Sequence, residues 1–205
     1  MRTVGIYLYD QVEVLDFAGP FEVFTTASRV AQRQQADATQ PFRVVTIARQ
    51  SGPVTARAGL SVLPTHTLAD HPPLDVLIVP GGDERAERGQ ADLIAWLHTQ
   101  AARIELLASV CTGAFLLAGA GLLDGRTVTT HWEDVTELAD AFPKLSVVDT
   151  GRWIDDGHIL TSAGMSAGID MSLHLVARLA GNKLAMATAR QMDYHWQDSP
   201  SESPS

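Results

Sequence analysis

Residues 108–118 read ASVCTGAFLLA, and this stretch decides the fold. An apolar run with strand character, residues 104–110, leads into it, and a helical run of small and apolar residues follows at 113–121. Cys111, the only cysteine in 205 residues, stands at the junction. Ser109 lies two positions before it and Gly113 two after. Small residues there let a strand and a helix approach closely, as in a nucleophile elbow that lifts a reactive side chain above a sheet. A thiol so placed sits at the carboxyl edge of a parallel sheet, where α/β proteins bind ligands. It also sits at a helix N-terminus, where the dipole and free amides favour the thiolate. The alternative is a buried, inert cysteine acting as a small hydrophobe.

Working outward, residues 4–9, 42–48 and 75–79 are short apolar runs that read as core strands. Residues 21–34 and 92–103 carry helical spacing between them, with 16–20 as a turn and 35–40 as a loop. Residues 53–64 suggest an accessory hairpin, and residues 127–130 a further strand followed by a helix at 132–142. Asp156–Gly157 between residues 152–155 and 158–161 is a hairpin signal. Helices at 167–180 and 184–192 complete the pattern. Strands that alternate with helices and are apolar on both faces imply a mainly parallel sheet with helices on both faces. No linker interrupts residues 1–198, so the expectation is one α/β domain followed by a disordered Ser/Pro tail at 199–205.

Composition narrows the function. Hydrophobic residues make up 45% and charged residues 19%, an ordinary globular balance. A net charge of −9 disfavours direct contact with a nucleic-acid backbone. A single cysteine excludes an intramolecular disulfide framework and points to a reducing, cytoplasmic setting. No apolar run is long enough to span a bilayer, the N-terminus lacks signal-peptide features, and no membrane partner is expected. The remaining histidines show no metal-ligand spacing, and no phosphate or dinucleotide loop is present, so no cofactor or metal is expected.

Three segments join Cys111 at the carboxyl ends of the expected strands. Pro80–Gly81–Gly82 can point backbone amides into a cleft, and Gly82 with the amide of Thr112 would make an oxyanion-type hole. An ordinary Pro-Gly turn is the alternative. Asp16 lies in an apolar context, where burial raises a carboxyl pKa and fits it to carry a proton. A helix N-cap would account for it equally simply. His131 either faces the cleft or is held by structural hydrogen bonds.

The motifs VEVLDFAGPFEVF, VLIVPGG, SVCTGAFLLAGAGLLDGRTVTTHW and LTSAGMSAGIDMSLHLVARL resemble, in order and spacing, those of the ThiJ/PfpI superfamily, a class I glutamine amidotransferase-like group. The resemblance covers nearly all of residues 3–195. It implies a flavodoxin-like α/β sandwich, a homodimer and a nucleophilic cysteine at the elbow. Two branches are most similar: isonitrile hydratases, which add water to an isonitrile without a cofactor, and the N-terminal domains of AraC-type regulators. By resemblance to the first, Asp16, Cys111 and Thr112 map onto catalytic positions and Gly82 onto the residue whose amide faces the thiol. Gly81, His131 and Met165, the last within the LTSAGMSAGID motif, are the remaining expected pocket residues. Peptidase members place a histidine directly after the cysteine, where this chain has Thr112, and a neutral threonine is no general base. The expectation is a small-molecule enzyme. The alternatives are a ligand or redox sensor, or a stress hydrolase acting on peptides or aldehydes. The fold and motifs are shared by enzyme and sensor; the chain ends SPSESPS rather than in a helix-turn-helix segment, and the expectation leans to the enzyme, with no direct nucleic-acid partner.

Overall fold

The computed structural model describes residues 1–35 and 39–199. The expected tail falls almost wholly outside them, as does the middle of the 35–40 loop. Among the described residues the strands are β1 (Arg2–Tyr7), β2 (Phe42–Ala48), β3 (Val54–Thr55), β4 (Ser61–Val62), β5 (His66–Thr67), β6 (Val76–Val79), β7 (Leu106–Val110), β8 (Thr127–Val128), β9 (Ser146–Val147), β10 (Trp153–Asp156) and β11 (Ile159–Ser162). The helices are α1 (Val14–Gln34), α2 (Ala91–Ala101), α3 (Gly113–Gly119), α4 (Val135–Ala141), α5 (Ser166–Ala180) and α6 (Asn182–Gln191).

Seven strands form one sheet in the order β10-β11-β7-β6-β1-β2-β5. Every pairing in it is parallel except that of β10 with β11, the hairpin expected at Asp156–Gly157. The central strands β6 and β7 are buried along their whole length, as a sheet covered on both faces demands. Helices α1, α5 and α6 pack on one another and on the sheet. Helix α2 contributes Trp96, whose ring meets Tyr7 of β1 at 5.9 Å between centroids. This is the flavodoxin-like α/β fold expected from the sequence. Strands β6 and β7 lie side by side in register, Val79 opposite Ser109, so the loops after them open at the same point of the sheet edge.

Two local expectations are corrected. Residues 16–20 are not a turn: α1 begins at Val14, with Glu13 capping the Val14 amide, and Asp16 and Pro20 lie inside it. A proline one and a half turns in is tolerated because its only lost partner is the carbonyl of Asp16, and the apolar face formed by Phe17, Gly19 and Pro20 is buried. The strand expected over 127–130 ends at Val128 and pairs with β9 outside the main sheet. Beyond it, the Thr129 amide donates to Thr161 Oγ1 at 2.9 Å, a side-chain bond that replaces a ladder bond and carries the chain to the sheet edge at His131. The short strands β5 and β9 were not anticipated, since two residues carry no periodicity.

Candidate active site

Cys111 follows β7 with φ +55°, a left-handed conformation that a residue with a side chain adopts only under constraint. The constraint is visible. Its amide donates to Ser162 O at 3.1 Å, and its carbonyl accepts from Thr130 Oγ1 at 2.9 Å. A Cβ on Gly113 would fall 2.0 Å from Val79 O, so the elbow admits only glycine there. Ser109 is fully buried. The tight strand-to-helix turn read from the sequence is therefore built.

Asp16, the third residue of α1, is fully buried and is not the helix cap. Its Oδ2 accepts from the Gly81 amide and its Oδ1 from the Met165 amide, each at 3.1 Å, and the Cys111 thiol lies close enough to the carboxyl for each to shift the other's pKa. Burial raises its pKa to about 7, and the two amides offset that only in part. Burial pushes the Cys111 thiol up as well, and the Asp16 charge adds to it. The amide and hydroxyl of Thr112 pull in the opposite direction. The expected help from the helix N-terminus is thus present but outweighed: α3 has only seven residues, and Cys111 is 8% exposed rather than open to solvent. Once Asp16 takes a proton, its opposition to the thiolate vanishes.

The glycines depart from expectation in detail. Gly81 spends its amide on Asp16. Gly82, at φ +144° and with no room for a Cβ beside Gln11 O, donates its amide to Thr112 Oγ1 at 2.9 Å. The Thr112 hydroxyl donates back to Gly82 O at 3.0 Å. The two-amide hole expected from Gly82 and Thr112 is therefore half engaged: the Thr112 amide faces the sulfur, while that of Gly82 is held by a hydroxyl.

His131 does both things expected of it. Its Nδ1 accepts from the Glu133 amide at 3.4 Å, with the Asp134 and Glu133 carboxylates 3.5 and 3.7 Å away, and its ring lines the cleft. Met165, at φ +38°, precedes α5 and presents its amide to Asp16. Gly164 was missed by the sequence reading. A Cβ there would lie 3.1 Å from Cys111 Sγ and 3.2 Å from His131 Cδ2, so its bare backbone makes the space between thiol and imidazole. It lay inside the LTSAGMSAGID motif, but nothing in the local pattern distinguished it from a loop glycine.

Above the thiol lies a cleft of about 520 Å³ lined by charges of both signs, among them Glu13, Arg57, Arg88, Asp134 and Glu137. A second cleft of about 630 Å³ adjoins it across His131 and Met165, and carries Trp132, Val135, Ala163, Gly164 and Ala167. Trp132 is 73% exposed. Among the described residues no helix is long and apolar enough to cross a membrane.

Known proteins resemble this chain in sequence and in fold. Isonitrile hydratase of Pseudomonas putida is 34% identical over 193 residues, 93% of this chain and 78% of that protein. The HTH-type transcriptional regulator GbdR of Pseudomonas aeruginosa is 30% identical over 94% of this chain, which spans only about half (51%) of the regulator. The crystal structure of a THiJ/PfpI family protein from Pseudomonas syringae, 30% identical, superposes with a TM-score of 0.82 over 100% of this chain and 79% of that one. Residues 2–178 match the DJ-1/PfpI family. The chain belongs to that family.

Proposed function

We propose that the protein is a cysteine-dependent enzyme that hydrates an isonitrile, or a closely related small electrophile, to an N-substituted formamide, with Cys111, Asp16 and Thr112 as its catalytic residues. The observation that carries the reading is a fully buried carboxyl, held by the Gly81 and Met165 amides beside the elbow thiol, with a pKa near neutrality. A group that must give and then take a proton works best with such a pKa. Similarity to isonitrile hydratase supports the substrate class.

The reactive form of the pair is carboxylic acid and thiolate, reached when the thiol passes its proton to the Asp16 carboxylate. The thiolate forms a C–S bond to the terminal carbon of the isonitrile, and Asp16 gives that carbon its proton, leaving a thioimidate and a carboxylate. The carboxylate takes a proton from water as the hydroxyl adds to the carbon, then passes it to nitrogen. On collapse the C–S bond breaks, the sulfur leaves as thiolate, and the hydroxyl proton returns to Asp16. Atoms balance as isonitrile plus water to formamide, and no cofactor is required. Thr112 steadies the thiolate through its amide, while its hydroxyl holds the Gly82 backbone. The apolar side of the second cleft offers a surface for the nitrogen substituent. The direct test is turnover of cyclohexyl and aryl isonitriles, following formamide: turnover that vanishes in Cys111→Ser supports the reading, and no turnover by the wild-type protein overturns it.

Similarity to GbdR favours a second reading, a ligand or redox sensor in which the same thiol reports binding or oxidation. A hydrolase reading has less support: Thr112 follows the thiol in place of histidine, and the His131 ring atom nearest Gly164 is carbon. The protein is further proposed to act in the cytoplasm as a homodimer of single-domain subunits. Leu15 and Phe21, each 39% exposed on α1, offer apolar surface for such a contact. Sedimentation at micromolar concentration reads the oligomer directly.

A further inference from the structure

Two buried hydroxyls occupy equivalent places behind the two members of the candidate pair. The peptide joining Pro80 to Gly81 donates its N–H to Asp16, and its carbonyl accepts from the Tyr9 hydroxyl at 3.1 Å. The peptide joining Cys111 to Thr112 directs its N–H at the sulfur, and its carbonyl accepts from the Thr130 hydroxyl at 2.9 Å. Tyr9 is 3% exposed and Thr130 is 1% exposed, so neither hydroxyl is satisfied by solvent. We infer that Tyr9 and Thr130 are positioning residues, each hydroxyl fixing and polarising the peptide whose amide holds one partner of the pair.

The physics is that of a short hydrogen-bond chain. A donor on the carbonyl oxygen withdraws charge through the peptide and makes its N–H a better donor, and it also fixes the plane in which that N–H points. Tyr9 thereby favours the Asp16 carboxylate, and Thr130 favours the Cys111 thiolate. Above about pH 7 the pair holds one proton, which sits on oxygen or on sulfur. The two hydroxyls push it in opposite directions. Other groups facing the pair are Glu13 on the Asp16 side, Asp134 on the thiol side and the His131 ring across Gly164. Burial keeps Tyr9 itself protonated throughout the range of interest.

The inference rests on the proton-sharing pair, and one measurement separates the two claims: the pH profile of Cys111 alkylation by iodoacetamide, read by mass spectrometry on the full chain. Tyr9→Phe weakens the carboxylate, so more of the pair is carboxylic acid with thiolate. Labelling at pH 8.5, above the midpoint, rises about threefold, and the acid midpoint moves up by about half a unit. Thr130→Val weakens the thiolate, and labelling falls about threefold with the midpoint unchanged. Thr130→Ser keeps the hydroxyl and restores the wild-type rate. In an Asp16→Asn background, Tyr9→Phe has no carboxylate to act on and loses its effect, while Thr130→Val keeps its own. Loosening of the fold would raise both rates together. Shifts of the same sign, or none, would therefore overturn the assignment of the hydroxyls. A wild-type profile with no limb near neutrality would overturn the pair and the assignment with it.

Discussion

Two aspartates are fully buried near the starts of helices in this protein, and they have opposite company. Asp170, in α5, meets the Arg152 guanidinium at 2.6 Å, the Tyr194 hydroxyl at 3.1 Å and the Gln197 amide at 3.0 Å. Asp16, in α1, meets two amides and a thiol but no cation. Burial raises both pKa values, yet Asp170 carries a counter-charge that Asp16 lacks. A compensated carboxylate is a fastener: this one ties the Arg152 loop and the segment at 194–197 to α5. An uncompensated carboxyl is cheap to protonate, so it exchanges its proton near neutrality. The difference lies in the neighbours, since residue type, burial and helix position are shared.

Chemistry should follow Asp16 and Cys111, and stability should follow Asp170. The largest effect expected is that of Cys111→Ser. A serine hydroxyl here has no base strong enough to ionise it, so turnover falls to background while the melting profile stays close to wild type. Asp16→Asn comes next. It removes the proton carrier and should cost on the order of 10²-fold or more in kcat, with folding retained. One new contact is unfavourable, because both Asp16 oxygens accept amides and the Asn side chain offers an NH₂ to one of them. A full-rate Asp16→Asn enzyme would erase the contrast with Asp170 altogether.

Asp170→Asn tests the other half. It strands the Arg152 charge in a site where its side chain is 10% exposed, and breaking a buried pair costs about 3 kcal/mol or more. Urea unfolding measures that loss. The pH midpoint of Cys111 alkylation in the folded variant should remain that of wild type. A moved midpoint would mean that the two aspartates are coupled through Ser166, which accepts from Arg152 at 3.0 Å and starts the helix after Met165.

The sequence made these two regions unequally legible. The elbow could be read because its demands are steric and local: a thiol, a small residue before it, and a glycine after it that touches Val79 O. The parallel sheet could be read because strands buried on both faces are apolar throughout. Asp16 was found as a candidate, but its place in the helix was not, since Gly19 and Pro20 spell a turn and only tertiary burial overrides them. Gly81 and Gly82 lie at the sheet edge where their strand was expected to end, yet which amide stays free depends on the Thr112 hydroxyl, a contact across thirty residues. Gly164 and the Arg152–Asp170 fastener left no local trace, because each is defined by partners distant in sequence.

The smallest predicted effect is the most specific to the comparison: the pH dependence of stability. Asp16 has a folded pKa of about 7 against an ordinary 3.8, so the folded state binds the proton more tightly than the unfolded chain does. Its contribution is therefore complete below pH 4 and is lost as pH rises to about 7, after which it is flat. Three pH units of such a difference correspond to at most about 4 kcal/mol. Other carboxylates confuse the raw curve. Asp70, Asp92 and Asp155 are held below their ordinary values and stabilise the fold in the opposite sense, as pH rises. They are common to wild type and Asp16→Asn, so they cancel when the two curves are subtracted. The wild-type chain should be the more stable of the two at pH 4, and its lead should shrink by a few kcal/mol by pH 8, by chemical denaturation at each pH. A difference curve that stays flat would mean that Asp16 is ionised throughout, with its two amides outweighing its burial. Asp16 would then be a second fastener like Asp170, and the thiol would have no proton donor among its neighbours.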